Sequence, residues 1–331
     1  MQAAIVARRA GLGDGLGSDK TVMRTPDFFI IGAAKSGTTA IYETLKQHPG
    51  FRLPDVKEPG YFGMEDQSPP FLGPRGPLEF NYTSSWADYL RIYESVPSNL
   101  LTGDASVVSL YRPRAATNIH TAIPSAKCVA VLRNPVDRAY SHYRAHFGAG
   151  LEPMARFEDA LAAETARIKA GVLHWFHYRE RGFYHRQLAR YHAVFPKAQL
   201  CILLYDDLRT DPEGFFRQLL NFLGAPSDVC LNIRKHHESV TPRNIPLHRM
   251  TAPGSELLRL AKHLAPRRVR HALRVWIKSW NRSRHTPALN PETRRALQET
   301  YRDDIDQLQD LIQRDLSSWL AETSPINAGR V

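Results

Sequence analysis

The stretch Phe28-Phe-Ile-Ile-Gly-Ala-Ala-Lys35-Ser36-Gly37-Thr38-Thr39-Ala-Ile-Tyr-Glu-Thr-Leu45 reads as an apolar strand, a short polar loop and the opening turns of a helix. Backbone N–H groups at a helix N-terminus lack intrahelical partners and carry the positive end of the helix dipole, so such a loop suits an anion. Lys35 adds a full charge, and Ser36, Thr38 and Thr39 add hydroxyl donors. Residue order sets this loop apart from the nucleoside-triphosphate pattern G-x-x-x-x-G-K-[ST], in which lysine directly follows the last glycine. Here Lys35 precedes Gly37, and Thr38 stands where that lysine would be. The loop therefore reads as a phosphate binder of a different type.

A second strand-to-helix junction follows. The apolar run Ala126-Lys-Cys-Val-Ala-Val-Leu132 ends in Arg133-Asn-Pro135-Val-Asp-Arg138-Ala-Tyr-Ser141-His-Tyr143, with Pro135 suited to a first helical turn. Val136, Tyr140, Tyr143 and Phe147 recur at helical spacing and predict one buried face, with Arg138 and Ser141 together on the other. Two guanidiniums and a hydroxyl at such a junction suit a second, separate phosphate, because arginine forks around phosphate oxygens. The strand ends in Arg133 and not in the aspartate that a Mg²⁺-dependent kinase needs there, which makes a nucleotide-dependent kinase or NTPase the weaker rival.

Together the two motifs resemble the sulfotransferases that use 3′-phosphoadenosine 5′-phosphosulfate (PAPS). The first is similar to their 5′-phosphosulfate loop and the second to the 3′-phosphate pattern R-x-P-x-x-R-x-x-S. The resemblance continues through Arg181-Gly182-Phe-Tyr184, Leu200 to Leu208, Asp211-Pro212 and Arg314-Asp315, and covers about Asp27 to Leu320. It is closest to bacterial members and to the domains that modify heparan sulfate. It implies an α/β fold with a P-loop-like central parallel sheet flanked by helices in three layers. One sulfotransferase domain would span 26–322, between a mobile tail at 1–25 and a C-terminal tail at 323–331.

What the resemblance implies about the site is equally specific. PAPS would be the sulfuryl donor and 3′-phosphoadenosine 5′-phosphate (PAP) the product. Lys35, Ser36, Gly37, Thr38 and Thr39 would hold the 5′ end, Arg133, Arg138 and Ser141 the 3′-phosphate, and Arg243 would add a contact from a loop over the nucleotide. The segment Lys57-Glu58-Pro-Gly-Tyr61-Phe62 resembles the K-E-x-x-[FY]-F pattern whose glutamate is the family's proposed base, which assigns Glu58. Lys35 would steady the departing phosphate, and Asp104 ranks second, as a base or as a group that orients Lys35. Members that sulfate heparan often carry His where Gly60 stands and Lys where Ala105 stands. The expected acceptor is therefore a hydroxyl of a carbohydrate or glycolipid, with an amine ranked below it and heparan not assigned.

Composition fits this reading. The 331 residues, 43% hydrophobic and 23% charged, suffice for a full core. Cys128 and Cys201 fall in apolar strands and Cys230 follows a turn, so no disulfide framework or metal spacing emerges. The expectation is a cytoplasmic protein without a signal core or membrane span. Gly11 to Asp19 holds four glycines without a preceding strand and reads as tail. His236-His237-Glu238 lacks a third ligand at suitable spacing, so no metal is expected.

The formal net charge of +11 is uneven. No carboxylate lies between Glu256 and Glu292, whereas nine Lys and Arg do, and Val269, Leu273, Trp276, Ile277 and Trp280 recur among them at helical spacing. Segment 257–291 thus predicts a basic amphipathic helix. It could dock an acidic glycan, rest peripherally on an anionic membrane, close over the nucleotide, or simply be a solvated face. No nucleic-acid module accompanies it, so nucleic acid is not an expected partner. The aromatic run His174-Trp175-Phe176-His177-Tyr178 would line an acceptor cleft or pack in the core. A catalytically silent anion- or glycan-binding protein of the same fold is the remaining alternative.

The coarse pattern places strands at Phe28–Gly32, Leu100–Asp104, Lys127–Leu132 and Leu200–Tyr205. Helices are expected at Thr38–Gln47, Pro135–Phe147, Phe157–Lys169, Tyr184–Phe195 and Glu213–Phe222. A last helix from Asn290-Pro291 carries the stripe Leu297, Tyr301, Ile305, Leu308 and Ile312.

Overall fold

The computed structural model describes residues 23–64, 67–80, 82–229, 231–232, 241–242, 282–283 and 288–321. The first 22 residues, Arg243, the His236-His237-Glu238 group, Cys230, nearly all of the basic segment 257–291 and the C-terminal tail lie outside the described residues. In chain order the elements begin with β1 (Phe28–Gly32), α1 (Thr38–Leu45), α2 (Tyr61–Met64), β2 (Phe71–Gly73), β3 (Gly76–Leu78), α3 (Trp86–Arg91) and β4 (Gly103–Asp104). There follow α4 (Ala115–Ala122), β5 (Lys127–Leu132), α5 (Pro135–Ala149), α6 (Phe157–Ala162), α7 (Glu164–Lys169) and α8 (Tyr184–His192). Next come β6 (Leu200–Leu204), α9 (Tyr205–Thr210), α10 (Pro212–Leu223), the pair β7 (Thr241–Pro242) and β8 (Arg282–Ser283), and α11 (Pro291–Ile312).

The elements group into two compact units. The first comprises Met1–Ser68, Phe80–Arg133 and Tyr184–His236. It holds a parallel sheet of order β4-β1-β5-β6. Phe28 pairs with Gly103 on one side and Lys127 on the other, and Cys128 pairs with Leu200. All five residues of β1 are buried, the pattern of a strand covered on both faces. On one face Phe28, Ile30, Val129, Val131 and Leu203 pack with Ile41 and Leu45 of α1 and Phe216, Leu219 and Leu220 of α10. Each fully buried aliphatic or aromatic side chain there contributes about 1.5–3 kcal/mol. On the other face the Phe29 ring meets Phe62 of α2 edge-on at 5.6 Å. Helix α10 is fixed at both ends. The Asp211 side chain accepts from Gly214 N–H at 2.9 Å, and Lys127 Nζ donates to the carbonyls of Phe222 and Leu223 at 2.8 and 3.1 Å.

Strand β4 is shorter than the expected Leu100–Asp104. The Asp27 carboxylate takes the N–H of Thr102 at 2.8 Å, and Leu101 bridges to Phe51, so the regular ladder starts only at Gly103.

The second unit comprises Pro69–Glu79, Asn134–Phe183 and His237–Val331. It contains the antiparallel hairpin β2–β3, α5, α6, α7 and α11. The side chain of Asn134 caps α5 by accepting from Val136 N–H at 3.0 Å. The expected single helix Phe157–Lys169 is divided at Ala163, which brings Glu164 inward to accept the N–H groups of Arg179 and Glu180 at 2.7 and 2.8 Å. Glu152, itself buried, is forked by Arg167 at 2.7 and 2.8 Å and receives the Tyr178 hydroxyl at 2.8 Å. On α11 the stripe Leu297, Tyr301, Ile305 and Leu308 is buried, while Ile312 is partly exposed. Gly182 sits under Tyr301, where an added Cβ would lie 2.6 Å from the phenolic oxygen. That close approach explains the glycine of the Arg181-Gly182 pair.

Candidate active site

Four parallel strands in the first unit end on one edge, the edge at which α/β folds bind ligands. At the end of β1 the chain enters the loop Ala33–Gly37. Ala33 N–H donates back to Val131 O at 2.8 Å, and Ser36 N–H donates to Ala33 O at 3.2 Å. Lys35 stands at φ 71° and Gly37 at φ 80°. A lysine in the left-handed region costs about 1–2 kcal/mol, so the loop tolerates strain to retain a cation there. Gly37 has a second reason to lack a side chain. The Tyr205 ring lies over it, 3.0 Å from where a Cβ would be.

Helix α1 opens after Gly37 with no side-chain cap, which leaves its first N–H groups for a ligand. Ser36 is fully buried, and its Oγ has no hydrogen-bond partner. A buried hydroxyl left unsatisfied costs about 1–3 kcal/mol. An anion oxygen in the loop would satisfy both deficits, so the donor set fits the 5′ end of a phosphosulfate nucleotide.

Arg133, at the end of β5, reaches into this loop: its Nη1 donates to Lys35 O at 3.1 Å. Its guanidinium lies 4.9 Å from the centroid of the Tyr205 ring, and its own carbonyl accepts the Tyr184 hydroxyl at 3.0 Å. Tyr205 and Tyr184 are thus site residues to which the sequence motifs assigned no role.

At the end of β4, Asp104 is buried, with Ser106 N–H donating to Oδ1 at 2.7 Å and the Tyr89 hydroxyl to Oδ2 at 2.8 Å. Burial raises its pKa from 3.8 to about 6. The bonds from Ser106 and Tyr89 oppose that rise, and the Glu58 charge adds to it. The segment carrying Glu58 is fastened to the same strand end. Ala105 N–H donates to Lys57 O at 3.0 Å, and Gly60 N–H donates to Ser106 Oγ at 2.9 Å. The Glu58 carboxylate remains accessible, its side chain 46% exposed and paired with Lys57. Lys35, Ser36, Gly37, Thr38, Thr39 and Arg133 therefore gather around one loop, and Glu58 and Asp104 around the neighbouring strand end.

Arg138 and Ser141 belong to the second unit. Ser141 is partly exposed. Arg138 is fully buried, with Nη2 donating to Tyr178 O and Nη1 within 3.4 Å of His142 Nδ1. The helix face expected to be open at this position is therefore covered. In the run 174–178, His174, Phe176, His177 and Tyr178 are buried, which favours the packing role, and Trp175 is partly exposed. Among the described residues no group of His, Cys, Asp or Glu could hold a metal ion, and no helix is long and apolar enough to cross a membrane.

A strand–loop–helix turn at the edge of a parallel sheet, with a lysine before its glycine, defines a P-loop-like α/β class. The family model for the sulfotransferase domain matches residues 25–311, and the chain belongs to that family. It is 30% identical over 217 residues to the human bifunctional heparan sulfate N-deacetylase/N-sulfotransferase 3, a match covering 62% of this chain and 23% of that protein. It is also 30% identical over 122 residues to the membrane-associated sulfotransferase kil1 of Dictyostelium discoideum, covering 37% of this chain and 23% of that protein. The chain thus spans about a quarter of the length of the curated relatives it matches. Among solved structures, a sulfotransferase from Alicyclobacillus acidocaldarius superposes with a TM-score of 0.71 at 27% identity, over 90% of this chain and all of that one.

Proposed function

We propose that the chain transfers the sulfuryl group of PAPS to a hydroxyl of a carbohydrate or glycolipid. The observation that carries this reading is the β1–α1 loop, where a lysine, an uncapped helix start and an unsatisfied buried Ser36 hydroxyl converge. In this account Ser36, Gly37, Thr38 and Thr39 hold the 5′ group through hydroxyl and backbone donors. Lys35 neutralises charge that develops on the departing phosphate. Sulfuryl transfer, like phosphoryl transfer, is chiefly positioning and electrostatics around an in-line displacement. The sequence pattern Arg133 to Ser141 supports a separate 3′-phosphate contact, and Arg138, buried within its own unit, braces its helix.

Glu58 accepts the proton of the attacking hydroxyl, because it is the accessible carboxylate of the two. Asp104, with both oxygens engaged by Tyr89 and Ser106, orients Ser106, whose Oγ accepts from Gly60 N–H. The heparan-modifying relatives support a carbohydrate acceptor, and buried free thiols at Cys128 and Cys201 suit a reducing, cytoplasmic setting. Transfer of ³⁵S from labelled PAPS into a glycan extract tests the proposal. Wild type should label a product, and Glu58→Gln should lower the rate by about 10²–10⁴-fold while PAP binding persists. Full activity in Glu58→Gln would remove Glu58 from the role of base.

A further inference from the structure

Beside the candidate base lies a cluster of aromatic rings of which the motifs name only Tyr61, at the [FY] position after Glu58. Tyr89, fully buried and bonded to Asp104, forms its floor. Trp86 stacks on it with centroids 5.4 Å apart and planes 21° apart, and Tyr61 does so at 5.2 Å and 28°. Tyr61 and Trp86 also touch, tilted at 44° with centroids 5.5 Å apart. Both are partly exposed, and Tyr61 is three residues from Glu58. The chain at 82–86 is tied over the Glu58 turn: Thr83 N–H donates to Pro59 O at 2.9 Å, and Tyr82 Cβ lies 4.0 Å from where a Gly60 Cβ would be.

The sequence that builds this shelf differs in charge from the whole chain. Residues 51–64 and 80–96 hold three cations, Arg52, Lys57 and Arg91, against four carboxylates, Asp55, Glu58, Asp88 and Glu94, in a chain of formal charge +11. Glu65 and Asp66 follow directly in sequence. Lys57 is paired with Glu58, and Arg91 with Asp88. A polyanionic glycan is held by surplus Lys and Arg, and this stretch has none to offer. Partly exposed Tyr and Trp rings instead offer apolar surface with a polar tip, suited to the C–H face of a sugar ring whose hydroxyls remain hydrated.

We propose that Tyr61, Tyr82 and Trp86 form the acceptor subsite and that it takes an uncharged pyranose ring, in contrast to the uronate-containing chains named for the relatives. The inference rests on the sulfotransferase reading above and specifies its acceptor. Tyr89 and Asp104 act as its support, linking the shelf to the strand end that carries Glu58.

The test uses the full chain saturated with PAP on an array of neutral and uronate-containing oligosaccharides, with PAP affinity measured separately by calorimetry. Binding should concentrate on neutral members, weaken by about tenfold in Trp86→Ala, and survive in Trp86→Phe, with PAP affinity unchanged in both variants. Preferential binding to uronate-containing members, no binding to any member, or an unchanged signal in Trp86→Ala would overturn the assignment while PAP binding stands. Loss of PAP binding in wild type would instead sink the sulfotransferase reading, and the subsite with it.

Discussion

Replacing Asp104 by Asn should alter how stability depends on pH. In the folded protein burial raises the Asp104 pKa from 3.8 to about 6, so between those values the native state binds a proton that the unfolded chain has already released. Stability from this group is therefore complete below the unfolded value and declines as pH rises through the folded one. The full span is about 3 kcal/mol, of which about 2 kcal/mol falls between about pH 4.5 and about pH 7. Asparagine keeps an acceptor for Ser106 N–H and turns its amide toward Tyr89, whose hydroxyl can accept in place of donating. The Asn variant should thus gain on wild type by about 2 kcal/mol across that range and show a constant difference above it. Urea unfolding of both proteins at matched salt, in steps of half a pH unit, reads this directly. A difference that is flat across the range would refute the claim that burial raises the Asp104 pKa.

Two further substitutions probe the loop and the second unit. Ser36→Ala removes a buried hydroxyl without a partner, so folding stability should hold or rise by up to about 1 kcal/mol while PAP binding weakens about tenfold. Calorimetry alongside urea unfolding checks both, and unchanged PAP affinity would remove Ser36 from the site. Gly182→Ala drives a methyl group into Tyr301 and should cost about 1–3 kcal/mol in urea unfolding, with a cost near zero contradicting the packing described.

The parts of the fold that could be read from the sequence are those fixed by local apolar runs. β1 and β5 match their expected limits because both are uninterrupted apolar runs, one ending at a glycine and the other at Leu132, just before Arg133. β4 fell short because a side chain distant in sequence, Asp27, takes the Thr102 N–H, an event no local pattern encodes. Helical periodicity counts Arg138 as polar and hence outward, yet the carbonyl of Tyr178 gives its guanidinium a buried partner. The loop lysine, glycine and hydroxyls were legible from their order. The covering Tyr205 was not, because only the β5–β6 pairing brings it over Gly37 and Arg133. Asp104 was legible as a candidate, but its burial and the bonds from Tyr89 and Ser106 that engage both its oxygens appear only in three dimensions.

The most direct test of the account is titration of the protein with PAP, in wild type and in Lys35→Ala, with no added Mg²⁺. Wild type should bind PAP, and loss of the Lys35 charge should weaken that binding by about a hundredfold. Binding of ATP that requires Mg²⁺ with no binding of PAP, or equal PAP affinity in the two proteins, would contradict it.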